Sequence, residues 1–149
     1  NEAPIISNDE DILVDEDTTD DNSKNYTLHV RDVITTDKIK LSYLSTGEYT
    51  SYSSYSAPKS GYEIIYINVT AENVGTSDIY ISTGSFHCYA DDEAMESYYC
   101  SDGSLSATIS SGRSATGKVY FEVPVDADEI EIEYELDYLN DSKAILIVK

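Results

Sequence analysis

The sequence predicts an all-β domain built as an antiparallel sandwich, and three observations predict it. Residues 61–75 read GYEIIYINVTAENVG, with Ile65, Ile67, Val69 and Ala71 at a strict spacing of two. Residues 112–123 read GRSATGKVYFEV, with Val119, Phe121 and Val123 on one phase and Lys118, Tyr120 and Glu122 on the other. A period of two sends alternate side chains to opposite sides of a pleated strand, so each stretch can bury one face. The third observation is composition: fourteen Tyr, two Phe, no Trp and one Met, among many Ser, Thr and Asp. Tyr, Ile, Val and Thr fit pleated surfaces, whereas the usual helix formers are modest here.

The elements follow in order. Residues 1–24 hold nine acids and one Lys. So much charge with so few apolar residues predicts a disordered tether, although a short extended piece around residues 12–14 can add to a sheet edge. The folded domain is expected over residues 25–149. Tyr26, Leu28 and Val30 alternate with polar neighbours, as do Ile39, Leu41 and Tyr43, giving two short strands. Residues 46–60, TGEYTSYSSYSAPKS, read as a loop rich in Ser and Tyr. The first signature strand follows, then strands over 78–82 and 86–90, with residues 96–100 as the return arm of a hairpin. Residues 105–109 are short, and Ser110-Ser111-Gly112-Arg113 turns into the second signature strand. That strand ends at Val123-Pro124, because proline cannot continue a ladder. Asp126-Ala127-Asp128 is expected to form one helical turn. Residues 130–138 alternate most cleanly, with Ile130, Ile132, Tyr134, Leu136 and Tyr138 inward and Glu131, Glu133, Glu135 and Asp137 outward. A turn at Asn140-Asp141 leads to a last strand over 144–148. About eight or nine short strands at this spacing make a β-sandwich.

Charge narrows the function. The chain has 149 residues, the size of one domain, and a net charge of −20. Residues 1–24 account for −8 of that and the remainder for −12, so the acidity is not confined to the leading segment. Nucleic-acid binding needs a basic stripe to displace counterions, and none is present. Anionic membrane surfaces are disfavoured for the same reason, and no apolar run approaches the ~20 residues of a spanning helix. The chain begins at Asn1 rather than Met, which reads as a mature chain whose targeting segment has been removed. Cys88 and Cys100 flank a span that reads as a hairpin, so the two thiols are expected to meet as a disulfide. Such a bridge would contribute about 3 kcal/mol in the chain-entropy account and would place the domain outside the cytoplasm.

Candidate chemistry is sparse. His87 beside Cys88 invites a nucleophile-and-base reading, but neighbours on a strand point to opposite faces. His29 lies on an outward face, and two His without a free Cys leave little for a zinc site. The acids Asp91, Asp92, Glu93 and Glu96, and separately Asp126, Asp128 and Glu129, are candidate calcium ligands. Calcium takes about six to eight oxygens, and neither group has the residue order of a calcium loop. Paired carboxylates for glycoside hydrolysis need a cleft that nothing here predicts. The sharper candidate is the loop with Tyr49, Tyr52 and Tyr55, joined by Tyr89, Tyr98 and Tyr99 of the hairpin. Tyr and Ser together supply rigid contact area and adaptable hydrogen bonding, the mixture binding loops use.

Taken in order, GYEIIYINVTAENVG, SSGRSATGKVYFEVP and DADEIEIEYEL resemble a family of immunoglobulin-like extracellular domains of bacterial lipoproteins. The matching positions are Gly61, Asn73, Gly75, Gly112, Gly117, Phe121 and Pro124, and the resemblance covers residues 25–149. It implies an immunoglobulin-like sandwich related in fold to a secreted immunogenic actinobacterial antigen. It also implies a secreted or lipid-anchored place on a Gram-positive surface, with the acidic leading segment as a spacer behind an upstream anchor. It brings no catalytic residues. The expected function is therefore a non-enzymatic module of a cell-envelope lipoprotein, a protein or glycan contact or a spacer, with no cofactor. The alternative is a calcium-dependent adhesion module.

Overall fold

The two alternating stretches lie side by side in the computed structural model, which describes residues 5–7, 13–14, 17–18, 24–137 and 142–149. β7 (Tyr62–Asn73) and β13 (Ser114–Pro124) pair antiparallel along their whole length, Ile67 opposite Val119 and Ile65 opposite Phe121. On the other side of β7 runs β6 (Ile39–Tyr49), followed outward by β5 (Val33–Thr35), β1 (Ile5–Ser7) and β2 (Leu13–Val14). The two-residue β11 (Glu96–Ser97) closes the β13 edge and completes a seven-stranded sheet.

The facing sheet has six strands in the order β10 (Glu93–Ala94), β9 (Phe86–Ala90), β14 (Ile130–Asp137), β15 (Ser142–Ile147), β4 (Lys24–Leu28) and β3 (Asp17–Thr18). Its β15–β4 pair is parallel and its other pairs are antiparallel. A separate two-stranded piece joins β8 (Ile79–Ser82) to β12 (Ser106–Ile109). Among the described residues nine strands have four residues or more, namely β4, β6, β7, β8, β9, β12, β13, β14 and β15. The molecule is an immunoglobulin-like antiparallel sandwich. Most of the stretch expected as a tether lies outside the described residues, as do Tyr138 and the Asn140-Asp141 turn. Of the described pieces of that stretch, β2 and β3 are edge strands and β1 lies between β2 and β5.

The core is the inward phase of both sheets. Ile65, Ile67, Val69, Val119, Phe121 and Val123 meet Tyr26, Leu28, Phe86, Ile130, Ile132 and Leu146, all buried. Full burial of one such side chain is worth about 1.5–3 kcal/mol. Tyr43 spans the layers, its hydroxyl donating to the Ile147 carbonyl at 2.9 Å. Burial pushes that hydroxyl up to about 12, so it remains a donor at any physiological pH.

Four local expectations change. Residues 46–49, expected at the start of a loop, continue β6 against β7. The first strand ends at Leu28 rather than Val30, because Arg31 takes φ 84° and the Asp32 carboxylate accepts the His29 N–H at 2.8 Å. Residues 125–129 form a turn without a helical repeat. The hairpin is also cut short. Asp91 and Asp92, at φ 50° and 69°, reverse the chain, and β10 pairs with β9 for only two residues. At Met95 the chain leaves this sheet, and β11 pairs with β13 of the other one.

Candidate functional site

That crossing decides where the cysteines go, and the expected disulfide is not formed. Cys88 faces the inter-sheet core from β9, whereas Cys100 lies on the outer side of the seven-stranded sheet against Ile64 and Tyr120. Both are buried free thiols, separated by the sheet itself. Burial pushes the Cys88 thiol up to about 12, and His87 points away from it into solvent.

Around Cys100 the structure gathers a second, smaller cluster made of tyrosines. Its origin is a one-residue bulge in β6. Tyr43 stands opposite Val69, but Ser45 stands opposite Asn68, so Leu44 is the extra residue, 42% exposed. A bulge reverses the phase of everything beyond it. Ile39, Leu41 and Tyr43 point into the core; without the bulge Tyr49 would follow them. Instead it stands opposite Ile64 on the outer face. The neighbouring cross-strand row runs Gly47, Tyr66, Tyr120, and Tyr98 extends it by donating its N–H to the Tyr120 carbonyl at 2.9 Å. Gly47 makes room for the Tyr66 ring: a Cβ there would lie 2.9 Å from the Tyr66 hydroxyl oxygen.

The rings contact one another. Tyr49 meets Tyr120 edge-on at 5.3 Å, Tyr98 at 6.1 Å and Tyr52 at 6.3 Å, while Tyr66 lies 6.1 Å from Tyr120. Offset and edge contacts of this kind add about 0.5–1.5 kcal/mol each beyond burial. Segment 98–105 folds over Tyr120, whose hydroxyl donates to the Asp102 carbonyl. The segment is held down at Gly117, where a Cβ would come within 2.6 Å of the Leu105 backbone. The Tyr98 hydroxyl donates to the Ser56 carbonyl at 3.0 Å, fastening loop 50–61 to the same cluster. A hydrogen bond with the Cys100 thiol and partial burial push the Tyr49 hydroxyl up to about 12. Burial, with the same thiol second, holds Tyr120 well above the ordinary tyrosine range. Both hydroxyls therefore stay protonated at pH 7.

Of the tyrosines singled out in the sequence, Tyr49, Tyr52 and Tyr98 join this cluster. Tyr55 and Tyr99 do not join it; carried by the loop and the segment that hold Tyr52 and Tyr98, they are 100% and 89% exposed. Tyr89 does not join it. It lies on the six-stranded sheet, beside a depression of ≈ 320 Å³ with Asp92, Glu131, Glu133 and Lys143. Tyr66 and Tyr120 were missed. Their signal was present: each is an aromatic residue on the polar phase of a half-buried strand.

The calcium candidates are placed differently from a metal site. The Asp91 carboxylate accepts the N–H groups of Asp128 at 3.1 Å and Glu129 at 2.9 Å, so it ties the two acidic turns together through backbone. Among the described residues no three His, Cys, Asp or Glu stand close enough to hold a metal ion, Asp92, Glu93 and Asp126 included. A groove of ≈ 510 Å³ at the opposite corner is lined by Asp37, Lys38 and residues 73–79. Its buried Asn73 is occupied structurally, donating to the carbonyls of Ser77 at 2.8 Å and Ile109 at 2.7 Å and accepting from Gly75 N–H.

Solved structures share this architecture. The chain superposes on the ycdA protein of Bacillus subtilis, a candidate lipoprotein, with TM-score 0.64 and 16% identity, over 78% of this chain and 38% of that one. It thus spans well under half of that protein's length. The yjhA protein of the same organism gives 0.61 at 12% identity over 81% and 98% of the two chains. The secreted protein MPT63 of Mycobacterium tuberculosis gives 0.54 at 15% over 78% and 84%. No curated protein matches the chain significantly in sequence. The lettering of the strands and turns is nonetheless that of a family, and over residues 16–145 the chain belongs to the DUF4352 domains of unknown function.

Proposed function

We propose that this domain is a non-enzymatic contact module on the outside of a bacterial cell envelope, and that the tyrosine face of the seven-stranded sheet is its contact surface. The observation that carries the reading is the cluster itself. A sheet bulge, a glycine and two loops place five tyrosine rings together on an outer face, and the same two loops carry two further rings almost wholly in solvent. Large rigid side chains that are half-dried before any partner arrives lose little freedom on binding. The extracellular setting is supported by the fold neighbours, which include a candidate lipoprotein and a secreted protein.

The test is retention of the whole domain on purified Gram-positive cell envelope. Replacing Tyr52, Tyr55 and Tyr99 together by Ser should weaken retention at least about tenfold and, through the lost Tyr52–Tyr49 contact, lower the melting temperature by no more than about 5 °C. Unchanged retention by the triple variant would remove this face from the function.

A further inference from the structure

Two of the chain's own lysines already lie on outer-face tyrosines. Lys118 Nζ is 4.8 Å from the centre of the Tyr66 ring, and Lys59 Nζ is 4.1 Å from the centre of Tyr62. An ammonium over a tyrosine ring is attracted by the ring's negative face, more strongly where water is partly excluded. The two loops offer more rings of the same kind. The Tyr98 hydroxyl donates to the Ser56 carbonyl, and the residues next to them in sequence, Tyr99 and Tyr55, are both open to solvent.

The β11–β13 edge is acidic. Glu96 stands directly opposite Glu122 across it. Like charges so placed destabilise a sheet and invite a cation between them. One Glu122 oxygen is taken by the Lys59 N–H at 3.0 Å, which leaves its other oxygen and Glu96 facing outward. The net charge of −20 draws basic partners towards the molecule.

The geometry points to recognition of protonated amines or guanidinium groups, presented as alternate side chains of an extended, basic polypeptide segment. This rests on the contact reading above and names its partner. The ring spacings of 6.1 Å and 6.3 Å from Tyr49 to Tyr98 and Tyr52 are close to the separation of about 6.6–7 Å between alternate residues of an extended chain. Acidic groups at the β11–β13 edge supply the charge, and the rings supply the selectivity for a cation that is weakly hydrated or already partly dried.

The test titrates the whole domain, followed by amide and ring resonances, with three probes. These are an eight-residue peptide alternating Ser and Lys, its Nε-acetylated form, and a neutral N-acetylglucosamine hexamer. The lysine peptide should shift Tyr52, Tyr55, Tyr98 and Tyr99, with the acetylated form at least about tenfold weaker. The Tyr55→Ser/Tyr99→Ser pair should lose that binding, and the Tyr55→Phe/Tyr99→Phe pair should keep it. Equal binding of the acetylated peptide would overturn the inference. So would undiminished binding by the Ser pair, which would mark bulk charge attraction alone. If only the hexamer shifts these resonances, cation recognition fails while the contact reading stands. If no probe shifts them, cation recognition fails, and the contact reading is judged by envelope retention alone.

Discussion

On the six-stranded sheet the outward positions of β14 are Glu131, Glu133 and Glu135; on the seven-stranded sheet the outward positions of β7 and β13 include Ile64, Tyr66, Tyr120 and Glu122. Both series come from the same alternation. The acidic face remains a solvated surface whose carboxylates crowd one another, with Lys143 bonded to Glu133 at 3.5 Å. The aromatic face attracts cover: segment 98–105 and loop 50–61 fold onto it until Tyr120 is 1% exposed. An outward phase is thus not a uniform category. Its residue types decide whether the sheet ends in water or begins a second packed layer.

The largest effect should come from removing the centre of that layer. Tyr120→Ala should cost about 3 kcal/mol or more in urea unfolding, as for a core aromatic, whereas Glu133→Ala on the other face should fall within about 0.5 kcal/mol of wild type. Similar small losses at both sites would mean that the aromatic layer is only surface decoration. Next comes Gly117→Ala, which forces β13 and the Leu105 backbone apart. The expected loss is about 1–3 kcal/mol, with faster hydrogen exchange in segment 98–105. An unperturbed exchange rate there would show that this close approach does not hold the cover in place.

The smallest effect is electrostatic and belongs to the acidic face. Burial, then Glu129, Asp92 and Glu133, hold the Glu131 carboxyl above the usual carboxylate range. A carboxyl raised on folding favours the folded state when protonated, so its contribution is present at low pH and lost as pH rises through the folded value. Glu131→Gln should therefore raise the melting temperature at pH 7 by about 1–2 °C, and the gain should vanish as pH falls below the ordinary glutamate value. A gain that persists at low pH would point to packing instead of charge.

The sequence carried the sandwich because its alternation is strict where strands are half-buried: Ile65, Ile67, Val69, Val119, Phe121 and Val123 read inward and are inward. It carried Tyr49, Tyr52 and Tyr98 as a group for compositional reasons, without the geometry that joins them. The bulge at Leu44 was not legible, since the apolar phase fades after Tyr43 and Thr46-Gly47 reads as the start of a loop, leaving no strand there to carry a bulge. The disulfide failed for a related reason. Phe86–Ala90 and residues 96–100 both look like hairpin arms, but a strand that changes sheets at Met95 has the same local pattern as one that does not. Tyr66 and Tyr120 were visible as letters, yet a strand reading that asks only for inward residues passes over them.

In the proposed division, one outer face serves contact and the other faces solvent. Iodination or hydroxyl-radical labelling of the intact domain, with and without bound envelope, compares them within a single molecule, Tyr89 reporting the acidic face. Protection of Tyr55 and Tyr99 by at least about fivefold, with Tyr89 labelled as before, is the predicted result. Protection of Tyr89 with Tyr55 and Tyr99 unchanged would contradict the claim and move the contact surface to the other sheet.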